Sequence, residues 1–192
     1  MELNAEHKIN APRDAVFAAL NDPDILRQCI PGCESLDKAS DTEMSATVVM
    51  KVGPVKAKFK GRVELSNLVP PESYSISGQG TGGAAGFAKG GADVRLVEDG
   101  AGTILHYVVK ADVGGRLAQV GGRLIDSTAK ALSERFFAKF GELVAGGDAD
   151  IEAAIVTVDQ ADAASSGATR WGWIGISVAA LVAVAAIIAS NS

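Results

Sequence analysis

Both cysteines of the chain stand in one hexapeptide, CIPGCE, with Cys29 and Cys33 on either side of a Pro31-Gly32 turn. Thiols so placed could hold a metal, cycle between dithiol and disulfide, or pack as small apolar side chains. The spacing C-x-x-x-C is neither the C-x-x-C of redox pairs nor half of a common zinc site. A tetrahedral zinc would need two more ligands, and the remaining candidates, His7 and His106, lie on strand-like segments without a Cys or carboxylate at metal spacing. Asp126 falls three residues after Arg123 and four before Lys130, the spacing of ordinary helix ion pairs. No serine sits in a G-x-S-x-G elbow, and no G-x-x-x-x-G-K-[ST] loop occurs. The chain therefore predicts no catalytic residue and no metal site. Its cysteines read as packed residues at a corner, with a reactive thiol as the alternative.

The elements that carry these residues divide the 192-residue chain unevenly. Positions 1–145 hold 17 basic and 18 acidic residues and are almost neutral, whereas 146–170 hold Asp148, Asp150, Glu152, Asp159 and Asp162 against Arg170 alone. The net charge of −5 argues against nucleic-acid binding, which shows a basic excess. The opening MELNAEHKIN has no apolar run and predicts no secretory signal. In contrast, residues 171–189, WGWIGISVAALVAVAAIIA, carry no charge, close to the roughly 20 apolar residues a membrane-spanning helix needs. Trp171 and Trp173 suit the interface, and Arg170 just outside favours a cytoplasmic head. The expectation is a single-pass, tail-anchored protein of the cytoplasmic (inner) membrane: head 1–145, flexible acidic and Ala-rich linker 146–170, transmembrane anchor 171–189. A cytoplasmic head keeps its thiols reduced. If flexible, the linker spans roughly 25–30 Å; its IEAAIVTV stretch, 151–158, is apolar enough to dock.

Within the head, Leu3, Ala5, His7 and Ile9 alternate on a first strand. Two short helices follow, the second opened by Asp22-Pro23 and closed by Pro31-Gly32. From Glu34 to Asp112 the period is two. Met44, Ala46, Val48, Met50 and Val52 share a face, as do Val55, Ala57, Phe59, Val63 and Leu65, with Lys56, Lys58, Lys60 and Arg62 opposite. This alternation predicts an antiparallel sheet with one face covered and one wet, and VGPV, 52–55, as a tight turn. Tyr74 and Ile76, then Ala92, Val94 and Leu96, then Leu105, Tyr107, Val109 and Ala111 mark three more strands. Seven glycines in residues 77–92 predict bends or close approaches. After Gly114 the spacing becomes helical through Leu117, Val120, Leu124, Thr128, Leu132, Phe136 and Phe140. A helix of roughly 28 residues is about 42 Å long and could cross a whole sheet. The expected class is α+β, a helix-grip: a curved antiparallel sheet wrapped around its C-terminal helix, a plan that encloses a cavity.

Four segments resemble one family. CIPGCESL (29–36), VGPVKAKFKGRVEL (52–65), GGADVRL (90–96) and VGGRLAQVGGRLIDSTAKALSERFFAKF (113–140) are similar, in order, to the CoxG family of carbon monoxide dehydrogenase accessory proteins, within the START-like (SRPBCC) superfamily. They span nearly the whole head. The resemblance implies a non-enzymatic accessory protein that binds an isoprenoid quinone (menaquinone or ubiquinone) in the grip cavity. It also implies that the protein couples a molybdenum hydroxylase of the carbon monoxide dehydrogenase type to the membrane electron-transport chain. The alternatives are a recruitment anchor without ligand transport, or a START-like cyclase or hydrolase.

A quinone's isoprenoid chain needs an apolar tunnel with few polar contacts. Candidate lining residues are Phe59 and Val63, Ile76, Phe87 and Leu96, and Leu105 and Tyr107 from the strands, with Leu124, Leu132, Phe136 and Phe140 from the helix. The Tyr107 hydroxyl could meet a quinone carbonyl. For docking, Lys51, Lys56, Lys58 and Lys60 lie behind a Val52/Val55 tip. They suit anionic lipid, an acidic patch on the partner enzyme, or simply solvent.

Overall fold

The computed structural model describes residues 2–155. Strand β1 (Glu2–Ile9) leads into α1 (Arg13–Ala19) and α2 (Pro23–Cys29), followed by β2 (Cys33–Lys38), β3 (Glu43–Val52), β4 (Val55–Val69), β5 (Ser73–Thr81), β6 (Phe87–Asp99) and β7 (Gly102–Gly114). A long helix, α3 (Gly122–Ile155), comes last. All seven strands form one antiparallel sheet in the order β1-β7-β6-β5-β4-β3-β2. From β2 to β7 the chain is a plain meander, and β1 closes the far edge against β7, with Glu2 opposite Lys110 and Ile9 opposite Thr103.

Local chemistry explains the joints. The Asp22 carboxylate accepts from the backbone N–H groups of Asp24 and Ile25, with Pro23 in the first helical position, which satisfies donors a helix start leaves open. Gly32, at φ 79°, lets its carbonyl accept from the Val49 N–H at 2.8 Å. A Cβ there would stand 2.2 Å from the Val49 carbonyl oxygen, so only glycine fits this corner. The Gly53-Pro54 turn joins β3 to β4 with Val52 opposite Val55.

The alternation holds through the sheet: Met44, Val48, Met50, Phe59, Val63, Leu65, Ile76, Val94, Leu96, Leu105 and Val109 are buried on the inner face. The helical expectation needs correction at its start. Leu117 and Val120 do not belong to α3; they lie in the connection that contains a 3-10 turn, Ala118–Val120, and Gly121 at φ 96° separates that turn from the helix. The buried stripe of α3 is Ile125, Ala129, Ser133, Phe136, Phe140 and Val144, so Leu124 and Thr128 sit one position off it. The helix also runs to Ile155, past position 145 and into the stretch expected to be linker. No helix among the described residues is long and apolar enough to cross a membrane; the expected span, 171–189, lies outside the described residues, as does most of the linker.

Candidate ligand site

The inner face of the sheet is poor in side chains toward one end. Ala46, Gly61, Gly80, Ala88 and Val113 are paired into one row across β3, β4, β5, β6 and β7. The next row is Met44, Val63, Gly78, Gly90 and Ala111. Large residues over this floor come from α3 and β4: Ile125, Phe136, Phe140 and Phe59 are almost fully buried. Among the described residues, the buried polar side chains are Asn21, Thr103 and Ser133, and none of them is charged. The interior is therefore neutral, and a charged ligand would enter it at high cost.

Three loops close the end of the grip. Gly86, at φ 117°, approaches so near the β7–α3 connection that a Cβ on it would stand 2.0 Å from the Gly114 carbonyl oxygen. The Leu117 N–H donates to the Ala85 carbonyl at 2.8 Å beside it. Gly82 lies over the Phe59 ring, 2.5 Å from where its own Cβ would be. At the β3–β4 turn, the corresponding position on Gly53 is 2.7 Å from a methyl of Leu124. Glycine in residues 77–92 thus serves close backbone approach as well as bending.

Toward α1, the core becomes polar. The Tyr107 and Ser133 hydroxyls are 2.6 Å apart, tying β7 to α3. His7 of β1 stacks on Phe137 with ring centroids 3.8 Å apart, and Phe137 in turn stacks on Tyr107 at 5.6 Å. Burial pushes the His7 pKa down, partly opposed by the charge of Glu134. His106 is on the other face, its Nδ1 3.3 Å from a Glu6 carboxylate oxygen. Tyr74 is buried on the inner face of β5, edge-on to Phe17 of α1.

Most predicted lining residues meet between sheet and α3: Phe59, Val63, Ile76, Leu96, Leu105, Tyr107, Phe136 and Phe140 are buried, and Leu132 packs against them. Phe87 and Leu124 do not line the interior. They are 48% and 41% exposed, because Phe87 projects from the outer face over Gly114 and Leu124 is off the buried stripe. Ile125, Ala129, Ser133 and Phe137 were missed. Ser133 carried a signal, a hydroxyl at helical spacing inside an apolar stripe.

The docking hairpin is also redrawn. Val52 is buried and Val55 half-buried, because the Gly53-Pro54 turn folds against the start of α3, so the tip valines are not presented outward. Lys51, Lys56, Lys58 and Lys60 are exposed. Lys58 pairs with Glu34 at 2.6 Å. Lys51 and Lys56 face each other directly across the hairpin, an unfavourable like-charge pairing. Open hollows on the outer face include one of about 880 Å³ lined by Arg62, Gln79, Lys89, Lys110 and neighbours.

Cys29 is buried at the end of α2, its thiol pushed up to about 12 by burial. The Cys33 thiol is also raised by burial and donates to the Ser35 carbonyl at 3.3 Å. Both are free and held as thiols, which are poor nucleophiles. Among the described residues no cluster of His, Cys, Asp or Glu is placed to hold a metal.

A curved antiparallel sheet closed over a long C-terminal helix, with a neutral core, defines a helix-grip protein. The same fold is found in Ara h 8.0201, 15% identical with a TM-score of 0.56, covering 76% of this chain and 98% of that one. It is found too in TTHA0849 from Thermus thermophilus, at 17% and 0.59, covering 77% and 99%. A conserved protein from Geobacillus kaustophilus is nearer, 30% identical with a TM-score of 0.72 over 76% of this chain and 96% of that one. No protein with a curated description matches. Residues 6–145 match the family of the carbon monoxide dehydrogenase G-type subunit, CoxG, and the chain belongs to that family.

Proposed function

We propose that the chain carries an isoprenoid quinone between sheet and α3 and couples a carbon monoxide dehydrogenase-type molybdenum hydroxylase to the membrane, without catalysing a reaction itself. The observation that carries this reading is the family match over residues 6–145, made on a grip whose buried polar side chains, among the described residues, include no charge. A neutral core suits a neutral lipid, and each methylene buried contributes about 0.8 kcal/mol. The same core offers no paired acid and base for a cyclase or hydrolase. Membrane attachment is assigned to residues 171–189, and the exposed cations Lys51, Lys56 and Lys60 face anionic lipid or an acidic surface of the enzyme. The decisive experiment extracts the purified full-length chain for mass spectrometry and titrates it with menaquinone and ubiquinone. Neither co-purified quinone nor saturable binding would sink the carrier role.

One observation favours a second reading. Phe59, Phe136, Phe140 and Ile125 already fill much of the core, as in an anchor whose grip is packed by its own side chains. Truncation after residue 145 separates the two readings. A carrier retains quinone binding without its tail, whereas a pure anchor loses enzyme recruitment and has no binding to retain.

A further inference from the structure

One polar atom in the core meets no protein partner. Tyr74 is 3% exposed, and its hydroxyl has no protein donor or acceptor within hydrogen-bonding distance. The side chain is held in place, its ring edge-on to Phe17 with centroids 5.9 Å apart. Its row on the inner face continues through Val94 to Tyr107. The two tyrosines are thus two strands apart with the same chemistry. Tyr107 is satisfied by Ser133, and Tyr74 is not. Buried polar groups in native proteins are paired with few exceptions, and an exception marks a group kept for something else.

What would suit that hydroxyl follows from its surroundings. Burial raises the Tyr74 pKa well above its ordinary value, so the group offers a neutral O–H donor. An anionic acceptor would have to shed its water in a core where, among the described residues, no buried cation compensates it. A neutral oxygen such as a ketone carbonyl loses less solvation and accepts the same bond. The rows of Gly61, Gly78, Gly80 and Gly90 lie farther along the strands, where a hydrocarbon chain would meet no polar side chain.

We propose that the Tyr74 hydroxyl donates a hydrogen bond to a neutral carbonyl oxygen of the ligand held in the core, so that the ligand lies with its carbonyl end beneath α1 and its chain toward the glycine-rich loops. This rests on the quinone reading above and assigns the residue that tells a quinone from a hydrocarbon of the same shape.

The test uses the full-length chain and two probes: a naphthoquinone with a short isoprenoid side chain, and the carbonyl-free naphthalene with the same side chain. Wild type is expected to favour the quinone by about tenfold, the worth of one well-made hydrogen bond. Tyr74→Phe should lose that preference while binding the naphthalene unchanged. Without ligand, the variant should melt higher by roughly 2–8 °C, since an unpaired buried hydroxyl is gone. A Tyr74→Phe protein that keeps the preference overturns the inference and leaves the quinone reading standing. One that melts lower without ligand overturns it too, because the hydroxyl then has a partner such as a buried water. Binding of neither probe by wild type defeats the quinone reading and this inference with it.

Discussion

The hydroxyls of Tyr107 and Ser133, 2.6 Å apart and buried, join the strand β7 to the helix α3 across the core. Ser133→Ala should therefore cost about 1–3 kcal/mol, because it leaves the phenol unpaired. Tyr107→Phe should cost less, since the serine hydroxyl can turn to a carbonyl of its own helix. Urea midpoints of the two single variants and the double variant measure the coupling. Additive losses would mean the pair contributes nothing jointly.

Gly86 and Gly83 are neighbours with opposite tolerance. A side chain on Gly86 would strike the Gly114 carbonyl, whereas Gly83, at φ 60°, has open space around it. Gly83→Ala is expected to cost about 1–2 kcal/mol, from backbone conformation alone. Gly86→Ala adds the collision and should cost clearly more. Equal melting temperatures for the two variants would contradict the close approach.

Lys51 and Lys56 stand directly opposite in the β3–β4 hairpin. Lys51→Glu replaces repulsion with a cross-strand ion pair and should stabilise the chain by about 0.2–1 kcal/mol. The same change should weaken binding to vesicles containing anionic lipid. Undiminished vesicle binding would leave these lysines as an ordinary solvated face.

His7 loses proton affinity on folding, through burial, with Glu134 partly opposing. The unfolded chain then binds more protons than the folded one between the lowered pKa and 6.5. The contribution of His7 to stability is complete above about pH 6.5 and is lost as pH falls toward and through the lowered value. His7→Gln should flatten this part of the stability profile relative to wild type, read as the difference between two urea series. Parallel profiles would remove His7 as a source of the slope.

Cys29 and Cys33 are protonated at neutral pH because burial raises both. Alkylation by iodoacetamide near neutral pH should be much slower than for a free thiol in the denatured chain. Fast labelling of the native protein at Cys29 would show that its corner opens readily.

Strands were the most legible elements, because inward and outward residues alternate without interruption from Met44 to Val52 and from Leu105 to Ala111. The capped start of α2 and the Gly53-Pro54 turn were legible for similar local reasons. The beginning of α3 was not. Leu117 and Val120 keep a helical rhythm with Leu124, but the positive φ at Gly121 breaks the helix between them, and rhythm does not reveal backbone angle. Phe87 was misplaced because the loop before β6 sets its face, and that loop is shaped by contact with Gly114 and Gly115. The Tyr107–Ser133 bond joins positions 26 residues apart; each member was visible alone, and only the packing of α3 on β7 pairs them.

Strand β1 shares an edge with β7, so Glu2 waits for Lys110 and Ile9 for Thr103. During synthesis the first strand to leave the ribosome is thus among the last to find its neighbour, since at about 5–20 residues per second its partner follows many seconds later. The meander from β2 to β7 pairs each strand with the one just made. Until β7 arrives, the apolar side of β1, with Leu3, Ala5 and Ile9, has no sheet to join, so the nascent chain depends on chaperones longest at its very beginning.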